Sequence, residues 1–234
     1  MKIKSIRKVR SHCSNRFDIE VADTANFYAN GVLVHNSNFA CGAVTNPDPD
    51  EGDIIVQSKG IGGKGLALKV ADPVNHDNIY VRTARDFDLA TIMRQERDER
   101  ETSVYVLGEV FGKGIQDLAY GADNGQGIVG FRVFDVFLGL PNDSSSRFLN
   151  DDELEAFCVK YDLPRVPVLY RGPYSKEILL DLTGGMETVS GKGLHIREGV
   201  VVRTCVEREI RNGRAQFKSV SEAYLLRKDG TEYT

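Results

Sequence analysis

Val32-Leu33-Val34-His35-Asn36-Ser37-Asn38-Phe39 changes chemistry at its midpoint. Val32-Leu33-Val34 follows Asn30-Gly31, so it reads as a short strand entered through a tight turn. His35-Asn36-Ser37 then supplies three reactive groups in order. An Asn side-chain amide can attack its own backbone carbonyl, close a succinimide and cut the chain. A preceding His can donate the proton that this step needs. A hydroxyl residue just after the Asn can carry an acyl group as an ester. A lone His-Asn-Ser occurs by chance, so the sequence on either side has to decide its meaning.

Upstream, Phe17-Asp18-Ile19-Glu20-Val21 and Gly31-Val32-Leu33-Val34 read as two short strands, with a turn at Asp23-Thr24-Ala25-Asn26. A segment of this length cannot bury a core by itself and needs a partner. This pattern, with Asn26-Phe27-Tyr28-Ala29-Asn30-Gly31 leading into His35-Asn36, resembles the last two sequence blocks of inteins. The resemblance implies a small β-rich, Hint-type fragment over residues 1–36. In it His35, Asn36 and Ser37 would carry out the final splicing steps. Inteins commonly have a histidine where this chain has Ala25, which implies a slower Asn cyclisation. The N-terminal nucleophile and Thr-x-x-His block of an intein do not occur in residues 1–36. The resemblance is therefore to the C-terminal half of a split intein, whose partner is a separate intein N-fragment. Residues 1–36 hold six Lys and Arg against three acids, a charge of +3, which leaves −7 for the remainder. A cationic segment is steered toward an acidic partner chain, although a solvated basic tail has the same charge.

Residues 37–234 have room for a core of their own. Hydrophobic content of 41% and charged content of 27% are ordinary for a soluble globular protein. No apolar run reaches bilayer-spanning length, and the basic start lacks the apolar stretch of a secretory signal, so no membrane is expected. Cys13, Cys41, Cys158 and Cys205 are scattered, which suits a reducing cytoplasm better than a disulfide framework or a zinc site. After a polar loop at 46–53, a strand is expected at 54–57, a glycine-rich loop at 60–65, and a charged helix at 86–100 around Leu89, Ile92 and Met93. Strands at 103–107 and 131–138 are apolar on both faces. Asn150 or Asp151 can cap a helix that buries Leu154, Phe157 and Cys158, and Ser175 can cap another ending at Gly184-Gly185. Strands at 196–204 and 215–227 close the chain. Strands dominate without regular βαβ alternation, so the fold class is α+β.

Several stretches of 37–234, in order, resemble the motifs of the RNA ligases, a family of covalent nucleotidyltransferases, and especially the phage-type and RNA ligase 2-like members. Ser37-Asn38-Phe39 resembles the tail of the nucleophile motif Glu-Lys-x-His-Gly-Ser/Thr-Asn-Phe, and Asn38 would contact the nucleotide. Val106-Leu107-Gly108-Glu109-Val110-Phe111-Gly112-Lys113-Gly114-Ile115-Gln116 resembles the third motif, with Glu109 on the ribose hydroxyl. Phe131-Arg132-Val133-Phe134-Asp135 resembles the next, with Phe134 stacked on adenine. Glu198-Gly199-Val200-Val201-Val202-Arg203 resembles motif IV, where Glu198 would bind Mg²⁺. Lys218 resembles a motif V lysine on the α-phosphate, although relatives have two lysines there and this chain has one. Lys59 falls where the family often has a phosphate-binding Arg, and it would act as a point charge. The fold implied is a nucleotidyltransferase domain of antiparallel sheets flanked by helices over 37–234. The cofactors implied are ATP and Mg²⁺, and the substrates are RNA ends, a 5′-phosphate and a 3′-hydroxyl.

The nucleophilic Lys itself is absent, because His35-Asn36 stands where Glu-Lys-x-His-Gly would end. Trans-splicing to a chain carrying that motif would restore it, and the unspliced chain is expected to be inactive as a ligase. The other readings are a non-splicing fragment that binds nucleotide or RNA, and a DNA-end ligase of the same fold. The short stretch after motif V favours a ligase without an OB domain.

Overall fold

The computed structural model describes residues 3–9, 16–21, 27–29, 32–34, 38–47, 49, 52–58, 66–112, 115, 118, 120–122, 130–140, 143–210 and 213–227. Among the described residues before Ser37 there are two antiparallel strand pairs. Strands β1 (Ile3–Val9) and β2 (Arg16–Val21) pair antiparallel. Strands β3 (Phe27–Ala29) and β4 (Val32–Val34) also pair antiparallel, with Ala29 opposite Val32. The sequence suggested β2 and β4 but not their partners β1 and β3. The expected turn at 23–26 lies outside the described residues, as do His35, Asn36 and Ser37.

The body is built on β5 (Asn38–Ala43), β6 (Ile54–Ser58), β7 (Leu66–Lys69), helices α1 (Ile79–Asp86) and α2 (Leu89–Arg100), then β8 (Val104–Phe111), β9 (Gly130–Leu138) and β10 (Arg147–Phe148). The six strands form one antiparallel sheet in the order β10-β9-β8-β5-β6-β7. The strand that follows the His35-Asn36-Ser37 junction is thus an interior strand, flanked by β6 and β8.

Burial alternates along β8, and one face of the sheet carries the core. Phe39, Cys41, Val104, Val106, Phe131 and Val133 are buried there with Leu89 and Met93 of α2. Each such side chain contributes about 1.5–3 kcal/mol by leaving water. β8 is apolar on both faces over Val104–Leu107, as its composition suggested, but Tyr105 and Leu107 on the second face are only half-buried. The charged helix expected at 86–100 starts at Leu89. Asp88, in the left-handed region at φ 48°, separates it from α1, which Asn78 caps through its side chain.

Helices α3 (Asp151–Lys160) and α4 (Lys176–Thr183) follow, then β11 (Gly199–Arg203), β12 (Glu209–Ile210), β13 (Gly213–Arg214), β14 (Gln216–Val220) and α5 (Glu222–Leu225). Asn150 and Glu153 close a capping box on α3, and the Ser175 side chain accepts from the Ile178 amide at the start of α4. β11 and β14 form a separate antiparallel pair with Val201 opposite Lys218. The strand expected at 215–227 stops at Val220. Ser221 then stands at the N-cap position of α5, whose Tyr224 is buried. Among the described residues no helix is long and apolar enough to cross a membrane.

Candidate active site

Directly opposed residues of antiparallel strands point to the same side of a sheet. Asn38 of β5 opposes Glu109 of β8, and Glu109 opposes Arg132 of β9. Asn38, Glu109 and Arg132 therefore form a row across three strands, on the face away from the helical core. All three are half-buried. The row lies at the end of β5 nearest the junction. Gly108, just before Glu109, packs so closely that a Cβ there would stand 2.3 Å from the Phe131 ring and 2.6 Å from the Arg132 carbonyl oxygen. The register shifts at this point, with Leu107 opposite Asp135 and Gly108 opposite Val133, so Phe134 is the extra residue of a bulge. Bulges re-aim side chains, and Phe134 is half-buried rather than part of the core.

The β11–β14 pair is tied to this face of the sheet. Arg203 donates from Nη1 to the Phe134 carbonyl oxygen at 3.0 Å and to Asp135 Oδ1 at 2.8 Å. Arg214 reaches Asp135 Oδ2 at 2.7 Å and Glu207 Oε1 at 2.5 Å, and its guanidinium lies 3.6 Å from the Phe148 ring centroid. Burial disfavours the Arg214 charge, but Glu207 and Asp135 outweigh it and hold the guanidinium above its ordinary pKa. This buried network fixes the backbone at Phe134 and one end of β11 together.

At the other end, the segment before β11 leans on the row. Arg132 donates to the Val189 carbonyl oxygen at 3.4 Å, and His195 packs edge-on against Tyr120 at 4.6 Å. Glu187 closes the intervening loop, accepting from the Ser190 amide at 2.9 Å, the Leu194 amide at 2.9 Å and the Ser190 hydroxyl. Burial raises its carboxyl, but those three donors prevail and hold it below the ordinary range. Glu198 lies between the two anchors. It is ion-paired with Lys218, and each side chain is about one-sixth exposed. The register puts Val201 on the same side of the pair as Lys218, and Val201 is 60% exposed. A β-branched apolar side chain left open beside a cation and a carboxylate forms a surface suited to the flat face of a base above a phosphate.

The RNA ligase family model matches residues 34–220. The chain belongs to the RNA ligase family. The match starts at Val34 and ends where β14 ends. No curated protein matches the chain. Among solved structures, the Naegleria gruberi RNA ligase with PPi is similar at 18% identity and a TM-score of 0.56, covering 81% of this chain and 48% of that one. Two mutants of the same ligase with ATP and Mn give TM-scores of 0.55 and 0.57 at 18% and 17% identity, with the same coverage. The chain thus spans about half the length of the solved structures it matches.

Of the residues expected from the RNA ligase resemblance, Asn38 and Glu109 share one row, and Glu198 and Lys218 share one ion pair. Phe134 sits at the bulge that ties the two parts together. Lys59 lies outside the described residues, as do the splicing residues His35, Asn36 and Ser37. Among the described residues, no cluster of three or more His, Cys, Asp or Glu forms a metal cage. Mg²⁺ held by a single carboxylate takes its other oxygens from phosphates and water, so Glu198 fits a metal that arrives with a triphosphate. Sequence reasoning missed Arg132, Val201 and the Asp135–Arg203–Arg214 network. Val201 could not be told from Val200 and Val202 without the register, and no periodicity reveals ion pairs across such separations.

Proposed function

We propose that this chain is one half of a split ATP-dependent RNA ligase, joined to the other half by protein trans-splicing. Residues 1–36 are the C-terminal intein fragment, and residues 37–234 are the ligase body. A separate intein N-fragment, fused to the N-terminal part of the ligase, pairs with residues 1–36. Asn36 then cyclises with help from His35, and Ser37 becomes bonded to the Gly that ends the imported Glu-Lys-x-His-Gly. The two strand pairs before residue 36 support this division, because in the described residues β1 pairs with β2 and β3 with β4, and none of them joins the six-stranded sheet.

In the joined protein the imported Lys attacks the α-phosphorus of ATP, and pyrophosphate leaves. AMP passes to the 5′-phosphate of an RNA end, and a 3′-hydroxyl displaces it to seal the strand. Glu109 holds the ribose hydroxyl, Phe134 and Val201 flank the adenine, and Asn38 supports the nucleotide beside Glu109. Lys218 leaves its ion pair to meet the α-phosphate, which frees Glu198 for the metal, while Lys59 adds positive charge. Bound Mg²⁺ neutralises charge developing on phosphate oxygens.

The observation that carries this reading is that β5, an interior strand opening at Asn38 opposite Glu109, is preceded by His35-Asn36-Ser37 and not by a nucleophile motif. The test is to mix the chain with an N-fragment ending in Glu-Lys-x-His-Gly followed by the intein N-half. Release of a peptide of residues 1–36 and a joined product that seals nicked RNA in preference to nicked DNA supports the proposal. A mixture that leaves the chain intact supports a non-splicing fragment instead.

A further inference from the structure

Residues 120–122 and the segment before β11 flank a cleft of about 390 Å³ next to the Asn38–Glu109–Arg132 row. Arg132, the cross-strand partner of Glu109, forms one wall, and Phe111, Tyr120 and Lys192 line the rest. Two aromatic rings and two cations thus meet there, and no acidic side chain lines it among the described residues. The Arg132 guanidinium donates to two carbonyl oxygens, those of Phe131 and Val189. Lys192 is exposed.

Tyr120 has φ 47°, in the left-handed region. A bulky aromatic is an outlier there, and such strain persists only where the surroundings hold it. Phe111 packs edge-on against Tyr120 at 5.3 Å, and His195 braces it from another side. Gly130 makes room for Phe111, since a Cβ there would fall 2.1 Å from the ring. The result is a fixed aromatic wall facing two cations. That combination suits a nucleotide, with a base on the ring and a phosphate on the cations. In a chain of net charge −4, RNA has to be held by local features of this kind.

We propose that this cleft is a subsite for one nucleotide of the RNA strand being joined, separate from the adenylate site. Its base lies against Tyr120, and its phosphate is met by Arg132 and Lys192. The proposal rests on the reading of the body as RNA-sealing.

The test is fluorescence anisotropy of the whole chain with a labelled 5′-phosphorylated single-stranded RNA at several salt concentrations, with ATP binding measured separately by calorimetry. Lys192→Glu, at an exposed position, is expected to weaken RNA binding about tenfold and to reduce the salt slope by about one. Tyr120→Leu is expected to weaken RNA binding to a similar extent, while Tyr120→Phe retains it because stacking needs only the ring. ATP affinity is expected to stay unchanged in all three. RNA affinity unaffected by Lys192→Glu and Tyr120→Leu overturns the subsite, as does a wild-type chain that does not bind RNA. Loss of ATP affinity in these variants also overturns it, because the cleft would then belong to the adenylate site. If ATP binds the wild type and RNA affinity ignores the variants, the subsite fails while the nucleotidyl-transfer reading stands. If the wild type binds no ATP even after joining to its N-fragment, that reading fails first.

Discussion

At the residue scale, the chemistry is concentrated in a few side chains whose neighbours explain their placement. Lys218 and Glu198 already face one another, so the cation is held in position before any phosphate arrives. Removing one preorganised charge from a phosphoryl-transfer site typically costs about 10²–10³ in rate. Lys218→Ala in the spliced protein is therefore expected to slow AMP transfer onto the imported Lys about 100-fold or more, read as labelled AMP on the protein. Val201→Ala is expected to behave differently. It should raise KM for ATP and leave the rate at saturation close to wild type, because it removes only a surface for the base. Steady-state adenylylation across ATP concentrations separates the two. Asn36→Ala is expected to abolish release of the 1–36 peptide, as mass spectrometry would show.

At the element scale, β-strand pairing sets the geometry of the site. Gly199 has φ 157°, and a Cβ there would stand 2.1 Å from the Ser219 carbonyl oxygen. Gly199→Ala is expected to loosen the β11–β14 pair and destabilise the fold by about 1–3 kcal/mol, measured by urea unfolding. Asp135→Ala strands two arginines in a buried network and is expected to cost about 3–5 kcal/mol. At α3, hydrogen bonds from Arg147 pull the Glu153 carboxyl down to about 2. Its folded pKa lies below its unfolded one, so its contribution is complete above the ordinary carboxylate range and is lost as pH falls toward 2. The stability gap between wild type and Glu153→Gln is expected to shrink over that acid range. Much at this scale was legible in the sequence. Asn150 and Ser175 announce α3 and α4, and Leu89, Ile92 and Met93 mark the buried side of α2. The end of β14 was not legible, because the apolar spacing around Tyr224 fits a strand and a helical turn equally well. The bulge at Phe134 was also hidden, since an extra residue in a pleat leaves no compositional trace.

At the scale of the whole molecule, the candidate site is built from two sheets, and in the proposed function it is completed by a Lys from a separate chain. The six-stranded sheet brings Asn38, Glu109 and Arg132 into line, and the β11–β14 pair brings Glu198, Val201 and Lys218. The Asp135–Arg203–Arg214 network ties the two together. The ordered motifs made this arrangement legible in outline, while the ties between the sheets needed the structure. The most direct test is incubation with α-labelled ATP and Mg²⁺ of two proteins: the 234-residue chain alone, and its product after mixing with the N-fragment. Covalent label on the joined ligase and none on the chain by itself is the expected result. Stable label on the unmixed chain would contradict the account.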